Sequence, residues 1–184
     1  MRRLFISLAL AAGLSSSAQA IEFHTIDVTK SNLDFRYQQM GVKLQGKFKQ
    51  FSAQVRFDPS KPQAASLSFD VPLASVAAGS DADRELAGKS WFNTTAFPNA
   101  RFVAQTFKAT GENRFDVSGQ LTLKGKSRPL TVPVTLQTQG KNGVFKGQFV
   151  LHRSDFSIGE GAWSTFDVVA NDITVDFQVL ALGR

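Results

Sequence analysis

The sequence predicts an all-β fold, an antiparallel barrel or sandwich of about eight strands with one short helix. Three observations support this prediction: apolar and polar residues alternate in many segments, turn-forming residues separate those segments at short intervals, and only one segment has helix signals. Alternation with period two puts successive side chains on opposite faces of a strand. It does not distinguish a barrel from a sandwich.

Eight segments have the pattern of strands. The clearest is residues 31–39, where Leu33, Phe35 and Tyr37 alternate with polar neighbours. The same alternation recurs at 51–57, 67–71, 115–123, 130–136, 145–151 and 173–179, and a less regular strand is predicted at 100–108. Turn residues such as Asp58-Pro59 and Gly140-Lys141-Asn142-Gly143 separate these segments.

Pro133 lies inside one of these predicted strands. Proline has no backbone N–H to donate to a neighbouring strand, so it belongs at a sheet edge or a bulge. We therefore expect any barrel to be incompletely closed near residues 130–136.

The one helical segment is residues 80–88, SDADRELAG. Ser80 is the predicted N-cap, acidic residues occupy the first turn, and Gly88 ends the segment. We interpret Asp81, Asp83 and Glu85 as charges that favour a helix start rather than as paired catalytic acids.

The first twenty residues have the pattern of a secretory signal peptide. Arg2 and Arg3 precede an apolar run at 4–14, and Ala18-Gln19-Ala20 matches a cleavage site. The apolar run is shorter than the roughly 20 residues that a membrane-spanning helix needs. We therefore expect cleavage after Ala20 and one mature domain, residues 21–184.

Composition argues against several classes of function. The chain has no cysteine, which excludes disulfides, thiol catalysis and thiolate metal sites. Residues 21–184 carry 19 basic and 15 acidic residues, a net charge of +4 that does not indicate nucleic-acid binding. His24 and His152 are far apart and have no metal-ligand spacing. We predict no catalytic residues, no metal and no enzyme activity.

Phenylalanine is abundant, with sixteen in residues 21–184, many on the inward phase of strands. Such rings suit a rigid lining around an apolar guest, because an eight-stranded barrel either fills with side chains or holds one small ligand. A core that is simply rich in phenylalanine is the alternative. The stretch KSWFNTTAFPNARF, residues 89–102, adds four rings on a segment with neither strand nor helix spacing.

A series of short motifs runs along most of residues 21–184. In chain order they are Ser31-x-Leu33-x-Phe35, Gly46-x-Phe48-x-x-Phe51, Phe57-Asp58-Pro59, Arg84-Glu85-Leu86, Trp91-Phe92 through Phe97-Pro98 to Phe102, Leu121-Thr122-Leu123-Lys124-Gly125 with Arg128-Pro129-Leu130, and Arg153-Ser154-Asp155-Phe156-Ser157-Ile158-Gly159. Together these motifs resemble the YceI-like family of bacterial periplasmic proteins. The resemblance implies a periplasmic protein with an antiparallel lipocalin-like barrel. Its elongated apolar cavity would hold a polyisoprenoid or another long amphiphilic lipid, without a catalytic apparatus.

The resemblance also implies a site. The helix and the following loop would cover one barrel end, where the ring cluster of Trp91, Phe92, Phe97 and Phe102 is either a gate that contacts ligand or ordinary core. Arg84 is the candidate contact for a lipid headgroup. The predicted cavity and gate residues are Phe35, Tyr37, Phe57, Phe69, Trp91, Phe92, Phe97, Phe102, Leu121, Phe149 and Phe177.

An alternative function comes from the same resemblance. Residues 79–102 and 159–163 resemble the branch of the family that is often found beside b-type membrane cytochromes. An accessory module of a membrane redox system would bind a quinone or dock on such a cytochrome. Other branches often carry histidines where this chain has Gln39 and Glu85, so no role of those histidines is carried over.

Two groups of basic residues are further candidates for contact with a membrane. They are Lys43, Lys47 and Lys49 beside the second predicted strand, and Lys124, Lys126 and Arg128 in a tight turn. We interpret both as a solvated face. Contact with a phosphate headgroup or an anionic bilayer is the alternative.

Overall fold

The computed structural model describes residues 21–184. The predicted signal peptide lies outside this range. Ten strands form one antiparallel sheet: β1 Phe23–Gln39, β2 Val42–Phe48, β3 Ser52–Arg56, β4 Ser66–Pro72, β5 Val76–Ala77, β6 Asn99–Gly111, β7 Arg114–Leu123, β8 Lys126–Gln139, β9 Asn142–His152 and β10 Asp172–Gly183. One α-helix, α1 Ser80–Ala87, lies between β5 and β6. The all-β prediction is confirmed, with ten strands rather than eight.

The sheet curls into a half-closed barrel, which decides between the two predicted architectures. Its strand order is β3-β4-β6-β7-β8-β9-β10-β1-β2-β5. The curl brings β3 back to β1, where the backbones of Phe23 and Phe57 exchange hydrogen bonds of 2.8 and 3.0 Å. Across from the middle of β1, β2 pairs with β5 only at Lys47 and Phe48.

Pro133 lies in the central strand β8, and not at a sheet edge as the sequence suggested. Its missing N–H nevertheless has the expected effect on pairing. Strand β8 pairs with β7 along most of its length, but its register with β9 starts only at Val134. The β8–β9 seam is therefore open from Pro133 towards Lys126, as predicted for this region.

The helix begins with a different cap from the predicted one. Gly79 is the N-cap, and Ser80 is already inside the helix. The Asp83 carboxylate accepts a 2.6 Å hydrogen bond from the backbone N–H of Ala78, so an acid in the first turn fixes the chain before the helix. Gly88 is the C-cap, as predicted. Within residues 21–184, no helix has the length and apolar character needed to cross a bilayer.

Helix α1 and residues 153–171 cover the barrel end at which β1 finishes, which we call the capped end. Residues 153–171 attach to β1 through backbone bonds from Met40 to Val168 and from Ala170 to Gln38, at 2.8 and 2.9 Å. Buried side chains below this cover include Leu73, Trp91 and Phe156.

The opposite end of the barrel is filled by its own side chains. Phe57 makes edge-to-face contacts with Phe115 and Phe145, with ring centroids 5.0 and 5.5 Å apart. Buried aliphatic side chains such as Val117 and Leu136 complete this cluster. The space between the two ends is where a ligand can fit.

Candidate functional site

An apolar cavity of about 660 Å³ runs along the inside of the barrel. The inward-facing residues of the strands form its wall. Many of these apolar residues, among them Phe69, Phe149 and Phe177, are only half-buried because their inner surfaces face the cavity. The volume lies within the range of about 300–1,000 Å³ that is typical of small-molecule sites.

The structure brings ten of the eleven predicted cavity and gate residues into this wall. They are Phe35, Tyr37, Phe57, Phe69, Trp91, Phe92, Phe102, Leu121, Phe149 and Phe177. Whether these side chains contact a ligand stays a prediction.

Phe97 is the predicted ring that does not line the cavity. It is half-buried beside the β7–β8 turn, where a Cβ added to Gly125 would come within 2.7 Å of Phe97 Cε1. Gly125 has a φ of 72°, so the turn needs glycine both for its backbone and for the space that Phe97 occupies. Phe97 therefore fixes a turn at the capped end.

Arg84 is also placed away from the cavity. Its side chain is 79% exposed, and its Nη2 is 2.5 Å from the Asp81 carboxylate one turn earlier on α1. Exposed pairs of this kind contribute little to stability. Contact between Arg84 and a headgroup stays a prediction, and the ligand would have to reach the outer surface of the helix.

The ring cluster is divided between core and cavity wall. Trp91 also lines the cavity, but it is 6% exposed and packs with the core of the capped end, whereas Phe92 and Phe102 are half-buried. Trp91 also contacts Trp163, with ring centroids 5.5 Å apart. The interpretation as core applies to Trp91, and Phe92 and Phe102 are placed where a ligand could contact them.

The two indoles differ in their hydrogen bonds. Trp163 Nε1–H donates to the Glu85 carboxylate on α1 at 3.0 Å, which ties residues 153–171 to the helix. Trp91 Nε1–H is buried and has no acceptor within the residues that the structure describes. A buried donor without a partner is unfavourable and uncommon in folded proteins.

Arg153 organises the cover of the capped end, a role that no pattern in the sequence indicated. It is 1% exposed, and its guanidinium donates to six backbone carbonyls, those of Ile158, Gly159, Trp163, Thr165, Val169 and Ala170, at 2.7–3.2 Å. Its Cζ also lies 5.6 Å from the Trp91 ring centroid. Burial lowers the pKa of Arg153, but an arginine remains charged.

Polar residues line the cavity beside α1, and because the two on the helix are also exposed, we infer that the cavity reaches the surface here, at what we call the mouth. They are Tyr37 and Gln39 at the end of β1, and Asp81 and Glu85 on α1. Burial raises the pKa of Tyr37, and the nearby Asp83 carboxylate adds to the shift, so the phenol is neutral at ordinary pH. A ligand would therefore enter between β1 and α1.

Many wall residues on predicted strands were not among the predicted site residues, including the four large side chains Phe107, Phe115, Phe145 and Leu151. Phe115, Phe145 and Leu151 follow the same inward phase as the predicted residues, and extending that phase along their strands would have found them. Phe107 is out of phase with Phe102, because the pairing register of β6 shifts between Ala104 and Thr106. Glu85 was predicted only as a helix-start charge, and its bond to Trp163 had no signal in the sequence.

The two histidines lie at opposite ends of the barrel. His24 Nε2 is 3.3 Å from Glu22, and His152 Nδ1 is 2.8 Å from Asp172. In the described part of the chain, no group of three or more His, Asp or Glu residues could hold a metal ion. The absence of catalytic residues stays a prediction.

Comparisons with known proteins agree with this geometry. A sequence profile described as YceI-like domain matches residues 24–181. A UPF0312 protein of Pseudomonas putida is 30% identical over 187 positions, which cover 96% of this chain and 97% of the relative.

Solved structures are similar over most of the chain. The crystal structure of Burkholderia cenocepacia BcnA matches with a TM-score of 0.82 and 37% identity, over 85% of this chain and 99% of BcnA. A polyisoprenoid binding domain from Saccharophagus degradans, implicated in plant cell wall breakdown, matches with a TM-score of 0.69 and 18% identity, over 88% of this chain and 98% of that one. The second likeness shows the fold alone.

Proposed function

The chain belongs to the YceI-like family, and from this premise we propose that it binds one polyisoprenoid or similar long amphiphilic lipid inside the barrel and carries it through the periplasm. The observation that carries the proposal is the apolar cavity of about 660 Å³ with a polar mouth at one end. An apolar chain fits the wall, and a polar headgroup fits the mouth. The polyisoprenoid-binding neighbour supports the class of ligand.

The hydrophobic effect would drive this binding. Each square ångström of apolar ligand surface removed from water contributes about 25 cal/mol. Half-buried rings such as Phe69 and Phe149 present their remaining apolar surface to the same guest. Neither a covalent step nor a metal is needed, so we propose binding without catalysis.

Native mass spectrometry of the protein purified from its own host tests the proposal, because it reports the bound mass directly. We expect one lipid per chain. A prenyl-chain mass would support the carrier, and a quinone mass would favour the redox accessory instead. Protein that is free of any stoichiometric apolar guest would contradict both.

A matched pair of variants on β3 tests where the lipid binds. Ala53 lines the cavity, and its neighbour Gln54 is exposed on the outer face of the same strand. Ala53→Trp should fill part of the cavity and reduce the fraction of chains that carry lipid. Gln54→Trp should leave that fraction unchanged. Equal lipid content in the two variants would place the ligand outside the barrel.

The periplasmic location rests on the signal-peptide pattern of residues 1–20. We expect the exported protein to begin at Ile21. Amino-terminal sequencing of protein from the periplasmic fraction checks this directly. A chain that retained residues 1–20, or one found only in the cytoplasm, would contradict the proposed site of action.

A further inference from the structure

The β1–β2 hairpin ends in an unusual turn. Its two central residues, Met40 and Gly41, have φ angles of 49° and 80°, as in a type I′ turn. Asparagine followed by glycine is the favoured pair for this geometry, and a long apolar side chain in the left-handed region is uncommon. The Met40 side chain is 76% exposed, so packing within the protein does not explain its presence.

The β7–β8 turn has similar backbone angles, but its first central residue is buried, unlike Met40. Lys124 and Gly125 have similar φ angles of 49° and 72°. The Lys124 side chain, however, is buried and donates to the Ser157 carbonyl and the Glu160 carboxylate, at 2.6 and 2.9 Å. At that turn the residue in the left-handed region stabilises the fold through these two bonds. The exposed apolar side chain of Met40 instead indicates a role in binding a partner.

Further exposed apolar residues follow Met40 on β2. Val42 is 58% exposed and Leu44 is 37% exposed. They lie directly across from Gln39 and Tyr37, so they share the face of the sheet that lines the cavity. The apolar surface of the hairpin is thus continuous with the mouth.

The same strand carries unpaired positive charge. Lys43, Lys47 and Lys49 are exposed, and none of them forms an ion pair among residues 21–184. Residues 42–50, VKLQGKFKQ, contain no acid. Lys43 and Lys47 alternate with Val42 and Leu44 and therefore project from the opposite face of β2, so both sets flank the free edge of the strand. An edge-on approach would bring apolar side chains and lysines together to the headgroup region of an anionic membrane.

We propose that this hairpin docks on an anionic bilayer, with Met40, Val42 and Leu44 inserted at the headgroup boundary and Lys43, Lys47 and Lys49 on lipid phosphates. The proposal rests on the proposed lipid-binding function and adds to it the partner that loads or unloads the cavity. Docking would place the mouth against the bilayer, so that a long apolar chain enters the barrel without crossing water.

A second copy of the chain is a poorer occupant of this surface. Among residues 21–184, the stretch from Val42 to Gly46 has β1 on one side and no strand on the other, so a two-fold partner could pair along that free edge. Such pairing would bring the two sets of lysines together, and like charges across a strand pair are destabilising. An anionic bilayer complements them.

The test is sedimentation of the full mature protein with vesicles of phosphatidylcholine alone or mixed with phosphatidylglycerol. We expect binding to the anionic vesicles and weaker binding at high salt. The double variant Lys43→Gln and Lys47→Gln should bind anionic vesicles about 25-fold more weakly, from roughly 5-fold per lysine. The control double variant Lys108→Gln and Lys146→Gln removes two exposed charges elsewhere on the barrel and should bind like the wild type.

Met40→Asn separates docking from folding. It supplies the favoured turn pair, so the melting temperature should rise, while vesicle binding should fall by about 10-fold. Val103→Thr is the control, since Val103 is an exposed residue on the outer face of β6, away from the hairpin. The proposal is overturned if the hairpin variants sediment with vesicles to the same extent as their controls. It is also overturned if the wild type does not bind anionic vesicles, or if it dimerises through β2.

Native mass spectrometry of the same samples distinguishes the two proposals. Wild-type protein that carries lipid but does not bind vesicles would overturn docking and leave the lipid-binding function standing. Protein that binds vesicles through the hairpin but never carries lipid would overturn the lipid-binding function instead. We expect Met40→Asn to retain its lipid, because Met40 does not line the cavity.

Discussion

At the residue scale, the two tryptophans of the capped end predict an unusual order of stabilities. Trp→Phe keeps an aromatic ring and removes the indole N–H. At Trp91 this removes a buried donor that has no partner among residues 21–184, and an unpaired buried donor destabilises the wild type by about 1–3 kcal/mol. At Trp163 it removes the bond to Glu85, which is worth about 1 kcal/mol. We expect Trp163→Phe to lower the free energy of unfolding more than Trp91→Phe does, although Trp91 is the more buried ring.

Urea unfolding of both variants, monitored by circular dichroism, measures this difference. Both variants lose contact area, and Trp91 loses more because it is the more buried ring, so the expected order requires the hydrogen-bond difference to outweigh the packing difference. If Trp91→Phe is clearly the less stable variant, the Trp91 N–H has a partner in solution, such as an ordered water.

Arg153 predicts a large effect from one buried cation. Met has a similar length but no donors, so Arg153→Met leaves six backbone carbonyls without their guanidinium partner. At roughly 1–3 kcal/mol for each buried acceptor that finds no other partner, we expect a loss of at least about 3 kcal/mol in the free energy of unfolding. Arg128→Met, at an exposed arginine, should change it by less than about 0.5 kcal/mol. Equal urea midpoints for the two variants would contradict this role.

Individual residues also show how far the sequence predicts the site. Phe35, Phe69 and Phe177 were predictable as cavity residues because each lies on the inward phase of a strand. Arg153 was not, since its partners are backbone carbonyls, which every residue carries and which no side-chain pattern reveals. Phe97 was misplaced because a loop has no periodicity that fixes where a ring points.

At the element scale, two glycines lie beneath aromatic rings of the neighbouring strand. Gly147 on β9 is paired with Phe177 on β10, and Gly46 on β2 is paired with Phe35 on β1. In each pair the ring occupies the space where a Cβ would project from the glycine. Both rings line the cavity, so the glycines help to set its width.

This arrangement explains why β2 was not predicted as a strand. Its apolar residues Val42, Leu44 and Phe48 alternate correctly, but Gly46 interrupts the alternation because the Phe35 ring takes the place of its side chain. Strand β5 has only two residues, too few to show any period. The order and curl of the strands depend on pairing between distant segments, which alternation alone does not encode.

Gly147→Ala is expected to narrow the cavity. The new methyl group would lie within 2.6 Å of Phe177 Cε1, so the ring must move into the barrel. We expect a loss of about 1–3 kcal/mol in stability, typical of overpacking, together with a lower lipid content by native mass spectrometry. Gly111→Ala is the control, because its nearest neighbour atom would be 3.7 Å away. Unchanged lipid content in Gly147→Ala would show that the ring does not limit the ligand.

At the scale of the whole molecule, the barrel combines the two arrangements that its composition allowed. Around Phe57 the interior is filled by the protein's own rings, and towards the capped end it encloses a cavity. By the scaling of about 24 cal/mol per Å³ from large-to-small substitutions, a dry cavity of about 660 Å³ would cost roughly 16 kcal/mol. That matches or exceeds the total stability of an ordinary domain, about 5–15 kcal/mol. The folded protein therefore favours a state in which a guest, water or collapsed side chains occupy this space.

An apolar guest should accordingly stabilise the native state, since it has no comparable site on the unfolded chain. At a free lipid concentration of 100 times the dissociation constant, the gain is about 2.7 kcal/mol. For a protein of this size that corresponds to roughly 5–10 °C in melting temperature. We expect organic extraction and refolding to lower the melting temperature by about this amount, and added prenyl lipid to restore it. Refolded wild-type protein that was never extracted is the control. If extraction releases no stoichiometric lipid and the melting curve does not move, the barrel is stable without a guest and the carrier function is wrong.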